Sequence, residues 1–326
     1  MRALRFAAHG GPEVLGIEEV DEPRAPRGAE LLVAVAASSI NGTDLGLRRG
    51  DVPLATAGRL PLVLGFDIAG EVVGCGPAVT GFTPGDRVVA LLSHRGGGQA
   101  ERVLVAQHRA AIAPAGVPPA EAAALPLAGL TALQALRGRA GLHARPAGTR
   151  ILVLGASGGI GAYAVQLARA GGAVVTGTAS ARNLDFVTGM GASQALDRQV
   201  ATPKELAKAG ERYDVVLDAH GGAPWLDLRN LLRLGGVAVT TRGVSTDVLV
   251  GALARRVPGT TGCAQGRRSL VAVRTAARSY DLSALVALVE TGDLRVPLEA
   301  TFPLADGAAA HAHVESQGYG KTSLVL

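Results

Sequence analysis

The stretch Ile151-Leu-Val-Leu154-Gly155-Ala156-Ser157-Gly158-Gly159-Ile160-Gly161-Ala-Tyr-Ala-Val-Gln-Leu-Ala168 decides the fold. It opens on a short branched apolar run, passes through a glycine-rich turn and continues with small residues at helical spacing. Its 18 residues carry no charge and nominally reach membrane-span length. Four glycines inside it, and the change from branched to helix-like texture, dictate strand, loop and helix instead. A glycine loop in that position is the context of a dinucleotide fingerprint. Gly158 lets backbone approach a pyrophosphate, and Gly161 lets the helix pack on its strand. The helix N-terminus offers free N–H groups and partial positive charge. Gly155, Ala156, Ser157, Gly158, Gly159, Ile160 and Gly161 are therefore the candidate cofactor loop; the alternative is a structural Gly-rich turn.

The end of the following strand selects the cofactor. An NAD site places Asp or Glu there, about 20 residues past the glycines, for the ribose hydroxyls. Here the chain reads Thr176-Gly-Thr-Ala-Ser180-Ala-Arg182-Asn183, and no acid occurs before Asp185. Ser180 and Arg182 offer a hydroxyl and a guanidinium to a 2′-phosphate, so NADPH is the expected cofactor. A solvated N-cap serine and a surface arginine are the plain alternative. His220 follows the apolar run Val215-Val-Leu-Asp218-Ala219, at a strand end on the binding side of an α/β sheet. It either touches cofactor or substrate or is structural.

Outward from the loop, strand and helix patterns alternate. Strands are expected at Ala173–Thr178, Val215–Ala219 and Val237–Thr241, and helices at Ala181–Met190 and Pro224–Leu232, which predicts βαβ units on a parallel sheet. Upstream, residues 1–120 read as β-rich. Glu30–Ala37, Ile68–Val73, Asp86–Leu91 and Arg102–Val105 are branched runs separated by Gly/Pro punctuation, a barrel or sandwich pattern. Alanine-rich helical texture begins near residue 119. Downstream, Ser283–Glu290 and Ala308–Ser316 read as helices and Thr322–Leu326 as a strand. The division expected is 1–120, a nucleotide-binding 121–265, and a segment 266–326 that rejoins the first domain.

Composition agrees with an α/β chain of two domains: 326 residues, 48% hydrophobic and 18% charged. The formal charge is +5; with lysine only at 204, 208 and 321, the other 29 of 32 basic residues are arginines. There is no basic block, and ten aromatic side chains are too few for a base-stacking surface, so nucleic acid is not expected as the main partner. Two cysteines, Cys75 and Cys263, exclude a disulfide scaffold and a four-cysteine zinc site. The apolar opening MRALRFAAHGG is too short for a secretory signal, and a cytoplasmic protein with no membrane partner is expected.

The residues also carry a family likeness. Gly10-Gly-Pro-Glu-Val-Leu15, Asn41 with Asp44, Gly65-Phe-Asp67-Ile-Ala-Gly70, Gly85-Asp-Arg-Val88, Leu125-Pro-Leu-Ala-Gly-Leu-Thr131-Ala132, the glycine loop, Leu234-Gly-Gly236 and Gly320-Lys321 follow in order. In this the chain resembles the zinc-free quinone oxidoreductase (zeta-crystallin-like) branch of the medium-chain dehydrogenase/reductase superfamily, over nearly its whole length. The resemblance implies a GroES-like β-barrel catalytic domain joined to a Rossmann domain, an active site in the cleft, and a homodimer. Zinc-dependent relatives carry Cys in the segment matching Asn41–Asp44 and His-Glu where Phe66-Asp67 stands; Phe66 cannot bind metal, so no metal is expected.

The same resemblance nominates site residues. Asn41 is similar to an asparagine near nicotinamide and substrate, or else shapes the turn before Gly42. Thr131 is similar to a threonine beside the nicotinamide, or else bonds its own helix backbone. Lys321 closes the last shared motif and is grouped with the cofactor residues. Arg198 falls where some relatives place a tyrosine beside the 2′-phosphate; it adds charge there or is a surface arginine. His94, in a glycine-rich loop, is a candidate for proton transfer or substrate binding, or is simply solvated. One departure matters: many relatives carry a tyrosine where this chain has Gly46. Its loss removes a proton donor or widens the pocket. The implied activity is NADPH-dependent, metal-free hydride transfer to a quinone or α,β-unsaturated carbonyl. The alternatives are a dedicated enoyl reductase for a polyketide-derived intermediate and, in another class, a non-catalytic nucleotide- or RNA-binding protein.

Overall fold

The computed structural model describes residues 1–51, 57–241, 268–316 and 318–326. Cys263 and the 265/266 boundary lie outside the described residues. The chain divides into two compact units, Met1–Leu130 with Ala276–Leu326, and Thr131–Thr275.

The first unit begins with β1 (Arg2–Phe6), β2 (Gly16–Glu19), β3 (Glu30–Ile40), β4 (Leu62–Val63), β5 (Asp67–Cys75), β6 (Arg87–Leu91), β7 (Arg102–Ala106) and β8 (Ala110–Ile112). The long strand β3 alternates half-buried and buried residues along most of its length, as a strand with one face on a core requires. It pairs antiparallel with both β5 and β7. Leu31, Val33, Val35, Ile68, Val72, Val88 and Ala90 form the core beneath it. A second apolar cluster joins Leu4, Phe6, Ile40, Leu64, Leu304 and Leu324. Gly70 has a packing reason: a side chain there would run into the backbone of Ala34 on the adjacent β3.

The second unit contributes β9 (Arg150–Leu154), β10 (Val174–Ala179), β11 (Gln194–Asp197), β12 (Tyr213–Asp218), β13 (Leu232–Thr240) and β14 (Ser269–Ala272). Among the described residues these form one sheet in the order β11-β10-β9-β12-β13-β14, with every pairing parallel. This is the doubly wound order, whose direction reverses between β9 and β12. Near-continuous apolar strands such as Ile151–Leu154 suit a sheet covered on both faces.

The chain then returns to the first unit with β15 (Leu298–Pro303) and β16 (Lys321–Val325). β16 lies parallel to β15 and antiparallel to β3, pairing Thr322 with Ile40. The unit boundaries fall at 130/131 and 275/276 rather than at 120/121 and 265/266. Helical texture starts earlier than the second unit because the Pro119–Ala122 helix packs on β3, β5 and β16.

Candidate active site

In the second unit the glycine loop leaves β9 at the switch point, where open α/β sheets bind ligands. Gly155 takes φ +75°, a left-handed conformation that favours glycine. At Gly161 an added Cβ would overlap Gly155 O and stand 2.7 Å from Ala156 Cα, so the Gly159–Ala170 helix reaches its strand only without a side chain. At Gly158, the helix N-cap, an added Cβ would meet only Gly155 O at 3.5 Å. The protein leaves that space open, and the helix's first N–H groups have no partner within the helix. A phosphate-bearing cofactor fits both features. Ala156 N–H donates to Thr178 O, and the hydroxyl of Ser157 accepts from the buried Asn183 amide at 3.4 Å.

Ser180 caps the short turn after β10, with Arg182 exposed beside it. Arg198 is also exposed, just past β11, and its N–H donates to Ala179 O at 2.7 Å. Ala179 and Asp197 are register partners. Ser180, Arg182 and Arg198 are thus brought to the C-terminal ends of neighbouring strands. His220 is exposed beside Gly155: its Cβ stands 3.5 Å from where a Gly155 Cβ would be. The buried Asp218 holds that loop, accepting from Gly221 N–H at 2.8 Å and Ala223 N–H at 3.0 Å. Thr131 is buried and shares a hydrogen bond with Thr275 at 2.7 Å.

The first unit holds a buried polar cluster around Asn41, the N-cap of the Gly42–Arg49 helix. Asn41 Nδ2 donates to Asp67 Oδ2 at 2.9 Å, and its Oδ1 accepts from Lys321 Nζ at 2.5 Å. Asp67 also accepts from the Ser39 hydroxyl at 2.6 Å and from Leu127 N–H at 2.7 Å. Asp44 accepts from the N–H groups of Asn41 and Gly65. Burial pushes the Asp44 carboxyl up to about 6. Burial likewise raises Asp67 and lowers Lys321, each opposed by the other's charge.

Lys321 lies in the Asn41 cluster of the first unit, its buried ammonium donating to Ile40 O and Asn41 Oδ1. His94 is exposed on the turn Ser93–Gly96, which is closed by the Gly96 N–H donating to Ser93 O. Asp67, Asp218, Asn183 and Thr275 were not among the residues expected to act. Asp67 stood in a family motif, and Asp218 at a strand end two residues before His220.

Comparison with known proteins places this geometry. The Alcohol dehydrogenase GroES-like domain family matches residues 27–116, and the Zinc-binding dehydrogenase family residues 190–321. The chain is 35% identical to the chloroplast envelope quinone oxidoreductase homolog of Arabidopsis thaliana, covering 98% of this chain and 97% of that one. It is 33% identical to that plant's chloroplastic NADPH-dependent alkenal/one oxidoreductase, over 76% of this chain and 64% of the relative. Escherichia coli quinone oxidoreductase, solved with NADPH, superposes with a TM-score of 0.83 at 27% identity, covering all of both chains. The chain belongs to the medium-chain dehydrogenase/reductase superfamily, in its quinone oxidoreductase branch, and is an oxidoreductase.

Two points follow from these matches. The second family is described as zinc-binding, but among the described residues no three His, Cys, Asp or Glu side chains come together to hold a metal. Buried Phe66 has no donor atom to offer beside Asp67. The residues do not fit zinc. The cytoplasmic expectation is overturned by the plant quinone oxidoreductase homologues, which are named as chloroplast proteins, and by a mouse relative named as mitochondrial. A short apolar opening argues against secretion only and does not separate cytosol from organelle.

Proposed function

We propose that this chain is an NADPH-dependent, metal-free reductase that delivers hydride to a quinone or an α,β-unsaturated carbonyl. The observation that carries the reading is the open glycine loop at the switch point, with Ser180, Arg182 and Arg198 at adjacent strand ends. The chemistry supplied by NADPH when bound is hydride transfer from the nicotinamide C4. The protein's part is binding and charge placement. Gly158 and the N-terminus of the Gly159–Ala170 helix hold the pyrophosphate. Ser180, Arg182 and Arg198 hold the 2′-phosphate, and His220 borders the same loop. Thr131, steadied by Thr275, offers a hydroxyl to the cofactor. Asn41 donates a hydrogen bond to the substrate oxygen as negative charge develops there, so a conjugated acceptor is reduced without a Lewis acid. NADPH consumption with 1,4-benzoquinone and with an enone tests the reading; turnover with neither overturns it.

A dedicated enone reductase is the second reading. Gly46 favours it, because a glycine where relatives carry tyrosine leaves room for a bulky substrate. A kcat/KM higher for enones than for quinones decides in its favour. We also propose a homodimer. β14 ends the parallel sheet, and among the described residues no strand pairs with its outer edge. Sedimentation across a concentration series checks this, and a monomer throughout removes it.

A further inference from the structure

We infer that Lys321 and Asp67 together orient the Asn41 carboxamide, and that Lys321 polarises it, so that its second N–H becomes the hydrogen-bond donor presented to a substrate oxygen. The inference rests on the reductase reading above and adds two positioning residues behind Asn41. Charge fixes the amide's orientation. Its oxygen faces the Lys321 ammonium at 2.5 Å, and its nitrogen faces the Asp67 carboxylate at 2.9 Å. A flipped amide would set NH2 against the cation and oxygen against the anion. Asp67 acts as an acceptor throughout, taking the Ser39 hydroxyl and the Leu127 N–H as well. Lys321 donates also to Ile40 O at 2.9 Å and lies 3.8 Å from Asp67 Oδ2.

Ser39, Asp67 and Lys321 are 0%, 0% and 4% exposed, so the field between the charges is little screened. The cation on the amide oxygen draws electron density from the nitrogen and strengthens the remaining N–H as a donor, while the carboxylate on the other N–H fixes which way the amide faces. Among the described residues the remaining N–H has only Ser39 O, at 3.4 Å, beyond the usual range for an N–H···O bond. Asn41 is also the most exposed of the four, at 9%. A donor at the developing oxyanion is what reduction of a conjugated carbonyl needs, and Gly46 supplies none. Asn41 gives a hydrogen bond and loses no proton.

The probe is 4-nitrophenolate, an aryl oxyanion whose absorption band moves when its oxygen accepts a hydrogen bond. It is titrated in mildly alkaline buffer into protein saturated with NADP+. The wild type is expected to shift the band. The Asp67→Asn/Lys321→Met double variant removes both charges together. It is expected to bind the phenolate about tenfold more weakly and without the shift, while NADP+ affinity is unchanged. A milder cycle avoids any loss of folding in that variant: Lys321→Arg weakens phenolate binding in the wild-type background and has no effect in the Asn41→Ala background. No shift in the wild type, a shift that survives in the double variant, or equal Lys321→Arg effects in both backgrounds each overturns the inference. A wild type that shifts the phenolate but oxidises no NADPH with quinone or enone upholds the donor and fails the reductase reading.

Discussion

Gln99 is fully buried, and neither its amide nitrogen nor its carbonyl oxygen has a hydrogen-bond partner among the described residues. A buried carboxamide left so costs about 1–3 kcal/mol. Gln99→Met keeps the length and removes the unpaired dipole, so thermal unfolding should move to higher temperature by an amount of that order; an unchanged or lower Tm refutes this account. His311 presents a related case with a titratable ring. It is fully buried, neither ring nitrogen has a partner among the described residues, and burial, with the Arg48 charge nearby, pushes it down to about 3. Unfolded, the ring takes its proton near 6.5. Between those values the unfolded chain binds more protons. The stability from this group is therefore complete above about pH 6.5 and drains as pH falls toward 3, by about 1.4 kcal/mol per pH unit. His311→Leu should flatten the Tm-against-pH curve between neutral and mildly acid buffer. Comparing the two chains isolates His311 from Asp44, whose raised value of about 6 acts in the opposite sense. Parallel curves would remove His311 as the cause.

At the scale of elements, the cofactor preference rests on two strand ends. Arg182 follows β10 and Arg198 follows β11, and the two strands are in register there. Arg182→Ala should weaken NADPH binding about tenfold and leave NADH binding nearly unchanged. Equal losses for both cofactors would mean that Arg182 does not read the 2′-phosphate. These ends were legible because the signal is local: a branched run, a hydroxyl, a guanidinium, and no acid where an NAD site wants one. The strands β3, β5, β6 and β7 were legible for a similar reason, branched runs cut by glycine and proline. β11, Gln194-Ala-Leu-Asp197, was not; it has little strand propensity and is held by its pairing with β10. Nor was the Asn41 cluster legible as a cluster. Asn41, Asp67 and Lys321 each stood in a recognisable motif, but their meeting depends on β16 lying against β3. No spacing along the chain encodes that contact.

That contact decides how the molecule as a whole answers damage at its C-terminus. β16 is paired on both sides, with β15 and with β3, and Thr322 meets Ile40 across most of the chain length. Leu324 is fully buried in the cluster that also holds Leu4, Phe6 and Ile40. The first unit therefore closes only when the last strand arrives. The parallel sheet of the second unit takes none of its described strands from beyond Thr275. Leu324→Ala leaves a cavity in the first unit and should lower stability there by about 2–5 kcal/mol. Hydrogen exchange read by mass spectrometry shows where that loss falls. Amides of β3, β5 and β16 should lose protection, while those of β9, β10 and β12 keep theirs. A uniform loss across both sets would mean that the two units unfold as one, and that the late-arriving strand guards the nucleotide site as well as the Asn41 cluster.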